Sequence, residues 1–362
     1  MMPPQPVAGF VEVSLGALKR NFARLSAEAG DTEVGAVVKA NAYGLGASRI
    51  AQTLIDAGCS KFFVATLEEG IDLRASLQPD TQIDIYVFEG LRQGAQRTFA
   101  EHRLAPVLNT SSQLEAWLEV GAPCAVHVDT GMSRLGIAVD ECEKLLSDSA
   151  VRERLGLGYL MTHLACADNA EDPNNERQLA QFTALRARFG DTRVSIANSA
   201  GVFLGPRFHG DLIRAGIALY GGNPFSGRDN PMDPVASLYG RVLQLRELDH
   251  DASVGYGATF AAPAGSRIAT VGVGYADGYP RMLGNLAEAV CAGQRVPVVG
   301  RVSMDLTCVD VSAVPRDSVA VGDYVEMFGQ RVLIDEIAAH CNTISYEILT
   351  GLGARLPRIY AD

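Results

Sequence analysis

The apolar run Val34–Val38 stops at a lysine, and a loop of small residues follows at once: AVVKANAYGLG. A lysine at the end of such a run either snorkels to water, its commoner fate, or is held where its amine does chemistry. Thr66, Asn109, Asp129, His163, the pair Asn198–Ser199 and Arg214 stand at the ends of comparable runs. Any one of these polar residues is unremarkable. A lysine and an arginine aimed at one place are less ordinary: the pair wants an anionic ligand, or else the arginine lowers the pKa of Lys39 and makes its amine a better nucleophile. Ser199 in ANSAG offers a hydroxyl, and Gly216 and Ile217 in RAGIALYGG offer backbone N–H groups, the donors that hold a phosphate.

These residues need a frame that brings them together. Between residues 33 and 220 one rhythm repeats: an apolar run, a loop, then a helical pattern. The runs are Val34–Val38, Phe62–Ala65, Ile83–Val87, Leu104–Leu108, Ala125–Val128, Leu157–Thr162, Val194–Ala197 and Leu212–Ala215. In SSQLEAWLEVG, Leu114, Trp117 and Leu118 share a face, Ser112 and Glu115 form a capping box, and Gly121 stands in the C-cap position. In NERQLAQFTALRARFG, Leu179, Phe182, Leu185 and Phe189 form one stripe. Eight strand–helix units fit an α/β fold of the parallel (β/α)8 barrel type, with a doubly wound open sheet as the runner-up. In a closed barrel the first and eighth strands adjoin, so Lys39 lies beside Arg214. Barrels commonly hold a phosphate after strands seven and eight, where Ser199, Gly216 and Ile217 fall. A Schiff-base lysine opposite a phosphate cradle is the layout that pyridoxal 5'-phosphate (PLP) requires.

From about residue 236 the pattern changes to short strand-like runs with turn residues between them. In VSMDLTC, Val302, Met304, Leu306 and Cys308 alternate with polar neighbours, the period of a half-buried strand, and one helical pattern lies near Leu333–His340. Two domains are expected: a cofactor-binding barrel over 1–235 and a mostly β domain over 236–362. The chain has 362 residues and a net charge of −11, with no basic block, which argues against nucleic-acid partners and anionic membrane surfaces. Its seven cysteines are scattered without a C-x-x-C pair, so neither a disulfide framework nor a metal site is suggested. The start, MMPPQPVAGF, lacks the regions of a signal peptide, and no run reaches membrane-spanning length, so a cytoplasmic protein is expected. GVGYADG misses the G-x-G-x-x-G spacing, and no H-E-x-x-H, P-loop or G-x-S-x-G occurs.

The segments AVVKANAYGLG, HVDTGMSRLG, ANSAG, IRAGIALYG, VGYGATF, VGVGYADGYPR and GRVSMD, in this order and through to RLPRIY, together resemble the alanine racemases. These are PLP enzymes with a barrel and a C-terminal β domain. The resemblance implies a bacterial, cytoplasmic homodimer that interconverts L- and D-alanine through a PLP aldimine by a two-base mechanism. Lys39 would carry the cofactor and serve as the base on one face. Tyr256, supplied by the partner subunit, would serve on the other. Tyr43, Ser199, Gly216, Ile217 and Tyr360 would bind the phosphate, with Asn198 beside them. Arg214 would face the pyridine nitrogen, His163 would contact the ring, and Arg134 would support the substrate carboxylate. Met304 and Asp305 would lie in the partner's half of the site, and Tyr275 at its narrow entrance. The chemistry suits these types, since free lysine and tyrosine side chains titrate near 10 and each must be lowered to act near neutral pH.

Two positions depart from the family's pattern. Leu45 stands where many members have histidine, and His127 stands where many carry a carbamylated lysine that holds the arginine of RLG. Without the resemblance, His163 and Asp129 read as structural hydrogen-bonders and Tyr256 as a turn aromatic. The rival readings are a PLP amino-acid decarboxylase, a PLP-binding carrier, a Schiff-base aldolase, and a racemase of serine or of broader specificity. A single methylene discriminates by only about 1–3 kcal/mol.

Overall fold

The computed structural model describes residues 7–362. The segment read as lacking a signal peptide begins with residues 1–6, which lie outside the described residues. Eight parallel strands form the first domain: Glu33–Val37, Lys61–Val64, Asp84–Val87, Leu104–Leu108, Cys124–Asp129, Leu157–Met161, Val194–Ser195 and Leu212–Ala215. Each pairs with the next, and the eighth pairs with the first in the register Leu212↔Glu33 to Ala215↔Ala36. The seventh and eighth are joined by Asp211 N to Val194 O (2.7 Å), Arg214 N to Ala197 O (3.0 Å) and a parallel bridge between Asn198 and Arg214. The sheet therefore closes, which excludes the doubly wound open sheet. Its strands are buried on both faces, Leu104–Leu108 throughout, and this is why they read as continuous apolar runs.

The helix Pro173–Arg186 starts on Asp172, whose carboxylate accepts from Asn174 N, and it buries Leu179, Phe182 and Leu185 as its stripe predicts. The helix Ser111–Trp117 is capped differently from expectation. Thr110 is its N-cap and takes Gln113 N at 3.2 Å, so Ser112 lies inside the first turn and no Ser112–Glu115 box forms. Leu118 is the C-cap, and Gly121 (φ +65°) turns the chain three residues later.

In the second domain six antiparallel strands close on one another: Arg267–Val271, Thr307–Asp310, Gln294–Val299, Glu288–Cys291, Tyr324–Phe328 and the long Ala236–Glu247, which pairs back to Arg267–Val271. The helix Ile334–His340 lies where its pattern was read, and Ser345–Thr350 follows. The expected strand through VSMDLTC is shorter than its alternation suggests. Only Thr307–Asp310 is strand, and Ser303 N donates to Leu306 O across a turn that leaves Met304 54% exposed. One segment crosses between the domains: Gly9–Ser14, near the start of the chain, pairs with Ala236–Glu247 and with Arg358–Ala361. One large apolar core runs through both domains, and a smaller cluster of Val254, Ala262, Ile268 and Val299 lies apart in the second. Among the described residues no helix is long and apolar enough to cross a membrane.

Candidate active site

Past Val38 the chain makes a left-handed turn. Ala40, Asn41, Ala42 and Tyr43 have φ between 51° and 54°, four successive non-glycine residues in a conformation that costs roughly 1–2 kcal/mol each. All four carry a Cβ, so the surroundings have to hold the turn in place. Glu69 accepts from Ala40 N (2.7 Å) with one oxygen and from Ala65 N (2.8 Å) with the other. Asn41 Oδ1 accepts from Ala47 N, and Ala42 N returns to Val38 O. The turn sends both Lys39 and Tyr43 into one cavity of about 560 Å³ at the C-terminal ends of the barrel strands.

The same cavity is lined by His127, Arg134, His163, Asn198, Ser199, Arg214, Gly216 and Ile217. Arg214 is only 4% exposed. Its terminal nitrogens donate to Ser195 Oγ (2.6 Å), Thr162 O (2.7 Å) and Ile196 O (3.2 Å), and to His163 Nδ1 (3.2 Å). Burial lowers its pKa to about 10, still well above neutrality, so it stays charged. Burial first, then Arg214 and Arg134, hold His163 well below its ordinary pKa. His163 is therefore neutral, accepts at Nδ1 and carries its proton on Nε2. Burial, assisted by Arg134 and opposed by Glu69, also lowers the pKa of Lys39.

His127 can be assigned in the same way. Asn109 spends both amide hydrogens on Phe88 O and Val107 O, so its Oδ1 must accept from His127 Nδ1 at 2.8 Å. Burial, then Arg214, lowers the His127 pKa to about 4. The neutral ring thus keeps its proton on Nδ1 and presents a lone pair at Nε2. Asp129 is a loop anchor, taking the N–H groups of Gly131, Met132 and Ser133 and so shaping the segment that leads to Arg134.

Opposite these cations lies a cradle of donors. Ser199 Oγ accepts from Gly216 N (2.8 Å) and Ala218 N (3.3 Å), which leaves its own proton for a ligand. A Cβ on Gly216 would come within 2.5 Å of the Tyr43 hydroxyl, so the missing side chain keeps that space open. Tyr43 is held by ring contacts to Tyr220 (4.6 Å between centroids) and Tyr346 (5.9 Å).

Residues 13–224 match the family model for the alanine racemase N-terminal domain, and residues 235–360 match that for the alanine racemase C-terminal domain. The chain belongs to the alanine racemase family. An alanine racemase of Rhodospirillum rubrum is 49% identical over 330 residues, 90% of this chain and 88% of that protein. A catabolic alanine racemase of Mesorhizobium japonicum is 44% identical over 354 residues, 96% and 92% of the two chains. The crystal structure of an alanine racemase from Bartonella henselae with covalently bound pyridoxal phosphate aligns with a TM-score of 0.90 at 38% identity, covering 98% of this chain and 100% of that one.

The donor set of this alanine racemase family member fits PLP. An amine of lowered pKa suits the aldehyde, the Ser199–Gly216–Tyr43 cradle suits a phosphate monoester, and a buried charged guanidinium suits a ring nitrogen that accepts a hydrogen bond.

Five residues expected at the site lie away from this cavity. Tyr256 is 72% exposed in a short turn of the β domain. Tyr275 and Met304 are exposed on the same domain, joined by Tyr275 N to Ser303 O and Ala276 N to Met304 O. Asp305 pairs with Arg355, which also holds Asp277. Tyr360 donates to Leu45 O at 3.0 Å and lies against Gly46, outside the cavity wall. The tyrosine that lines the wall beside Tyr43 is instead Tyr346, from the helix Ser345–Thr350, together with Phe88 and Met161. Strand-end reasoning reaches neither Tyr346, which comes from the other domain, nor Glu69, which acts through backbone groups.

Proposed function

We propose that the protein is a PLP-dependent isomerase that interconverts L- and D-alanine as a homodimer in the bacterial cytoplasm. The observation that carries the reading is the lysine of lowered pKa that shares one cavity with a phosphate cradle and a buried arginine, on a chain of the alanine racemase family. The barrel, through residue 235, binds the cofactor, and residues 236–362 complete the partner's site.

When bound, PLP supplies an aldehyde that takes up an amine and a conjugated ring that accepts negative charge from the substrate's α-carbon. The Ser199 hydroxyl, Tyr43 and the Ile217 N–H would hold the phosphate, with the Gly216 N–H orienting the Ser199 hydroxyl from behind. Arg214 keeps its proton at neutral pH, so it donates a hydrogen bond to the ring nitrogen without protonating it. His163 contacts the ring from its seat against Arg214. Arg134 orients the substrate carboxylate. Lys39, eased toward its neutral amine by burial and Arg134, takes or returns the α-proton on one face.

The second face needs a base of its own. Tyr256 is the residue we assign to it, delivered across a dimer interface. Tyr256, Tyr275, Met282, Leu286, Met304 and Leu306 are large apolar or aromatic side chains left exposed on the β domain, a surface that a second copy would cover.

A proton NMR time course in D2O with PLP and L-alanine, followed by chiral analysis, tests the reading. Loss of the α-proton signal together with D-alanine supports it. Bound cofactor without exchange would redirect the assignment to another amino acid, with serine the next substrate to try.

A further inference from the structure

The seat of His163 and the root of the Arg134 loop are joined through the helix behind them. We infer that Gln178, fully buried on the helix Pro173–Arg186, is a positioning residue that sets both at once; the inference rests on the reaction proposed above.

The direction of every hydrogen bond around Gln178 is determined. Its Oε1 accepts from Ala165 N (2.9 Å), and its Nε2 donates to His163 O (2.9 Å) and to Thr130 Oγ1 (3.2 Å). The amide cannot flip, because Ala165 N–H only donates and His163 C=O only accepts. Thr162 Oγ1 donates its single proton to Val128 O at 2.9 Å. The 2.7 Å contact between the two threonine hydroxyls must then be Thr130 donating to Thr162. The protons run one way, from Gln178 to Thr130 to Thr162 to Val128, through residues that are all buried.

Both arms of this chain end at groups assigned to the site. Along one, Gln178 holds the His163 carbonyl, next to Thr162, whose own carbonyl accepts from Arg214 while the same arginine nitrogen reaches His163 Nδ1. Along the other, Thr130 follows Asp129, whose carboxylate folds Gly131, Met132 and Ser133 into the loop that ends at Arg134. A glutamate at 178 would keep the contact with Ala165 N, but it supplies no donor when ionised and only one when protonated, where the amide supplies two. Thr130 would turn its proton to the carboxylate. Thr162 must then either leave Val128 O to donate to Thr130 or let the 2.7 Å contact open, and either change disturbs the root of the Arg134 loop.

The test compares Gln178→Glu and Thr130→Val with the wild type in three readouts: PLP affinity from titration of the cofactor-free protein, KM and kcat for L-alanine, and the thermal unfolding midpoint. Gln178→Glu is expected to weaken PLP binding and to raise KM, each about tenfold, because a carboxyl group cannot supply the two donors that hold both arms together. Thr130→Val cuts only the arm toward Arg134 and leaves Gln178 on His163 and Ala165. It is expected to raise KM about fivefold while PLP affinity stays within about twofold of wild type. A lower unfolding midpoint in both variants with KM and PLP affinity unchanged would overturn the inference, as would Thr130→Val weakening PLP as much as Gln178→Glu does. Should Gln178→Glu fail to fold, the Thr130→Val split decides alone: raised KM with intact cofactor binding supports the inference, and unchanged KM overturns it. A wild-type protein that binds PLP but leaves alanine unchanged would sink the proposed function, and the PLP titration would still judge the His163 arm.

Discussion

At the mouth of the barrel, His163, Ser199 and Arg214 are held by the chain's own hydrogen bonds, and Lys39 stands half-buried in the same cavity. On the β domain the contrast is sharp: Tyr256 is 72% exposed, and Met304 and Tyr275 are exposed as well. Yet the backbone under these side chains is not loose. The Tyr275 and Met304 segments hydrogen-bond to each other, and Arg355 ties Asp277 to Asp305 beneath them. A rigid backbone presenting exposed apolar side chains is a surface shaped for a rigid partner. On the function proposed above, the barrel mouth would be a complete half-site and the β-domain face the other half, supplied by a different copy of the chain.

The largest effect belongs to the complete half. Lys39→Ala removes the amine that holds the cofactor, so racemisation and the visible absorption of the protein-bound cofactor should both vanish; residual turnover above about 10⁻⁴ of wild type would remove Lys39 from its role. Tyr256→Phe comes next, with an expected loss of about 10²–10⁴-fold. The loss should be greater for α-proton exchange from L-alanine than from D-alanine at early times. The two variants together test the division into halves. When Lys39→Ala and Tyr256→Phe subunits are mixed and allowed to exchange, each mixed dimer has one site with both residues intact, and random pairing restores about a quarter of wild-type activity. If the tyrosine worked within its own chain, the mixture would stay inactive.

Gly216→Ala probes the cradle with a smaller change. Its new methyl would meet the Tyr43 hydroxyl at 2.5 Å, and Tyr43 has little room to yield between Tyr220 and Tyr346. Crowding of this kind costs about 1–3 kcal/mol, so PLP affinity should fall about tenfold, read by titration, with kcat on saturated enzyme changed far less. Unchanged affinity would mean that the phosphate sits elsewhere.

The same contrast explains what could be read from the sequence. Barrel strands buried on both faces read as mostly apolar runs, so Lys39, His163 and Ser199 beyond their ends, and Arg214 within the last, stand out without any knowledge of the fold. The β domain gives weaker signals. The alternation from Val302 to Cys308 looks like a strand, but a turn at Ser303–Leu306 produces the same pattern by exposing Met304 to a surface. Tyr346 enters the cavity from a helix more than 300 residues beyond Lys39, and no spacing rule links them. Tyr360 occupies the end of a strand and spends its hydroxyl on Leu45. The left-handed turn after Lys39 left only a compositional trace, its small residues, because backbone handedness is set by tertiary partners such as Glu69. The motifs from AVVKANAYGLG to GRVSMD carried the assignment of Tyr256, which unaided reading would have left as a turn aromatic.

The smallest effect concerns His127, which belongs to the complete half. Its ring is neutral, donates to Asn109 and has a pKa lowered to about 4, against about 6.5 in an unfolded chain. Between these values the unfolded chain binds the proton and the folded one does not, so acidification favours unfolding and stability is lost as pH falls from about 6.5 toward 4. Between pH 7 and pH 5 this one group should cost about 1–2 kcal/mol. His163 is buried with the same sign of shift, so the total loss exceeds the share of His127. His127→Gln cannot titrate. Urea unfolding at pH 7 and pH 5 should therefore show a smaller loss in the variant than in the wild type, by about that 1–2 kcal/mol. Equal losses in the two proteins would mean that His127 titrates normally in the fold. It would then carry a charge at pH 5, and the neutral ring with a lone pair at Nε2 would not describe the barrel mouth there.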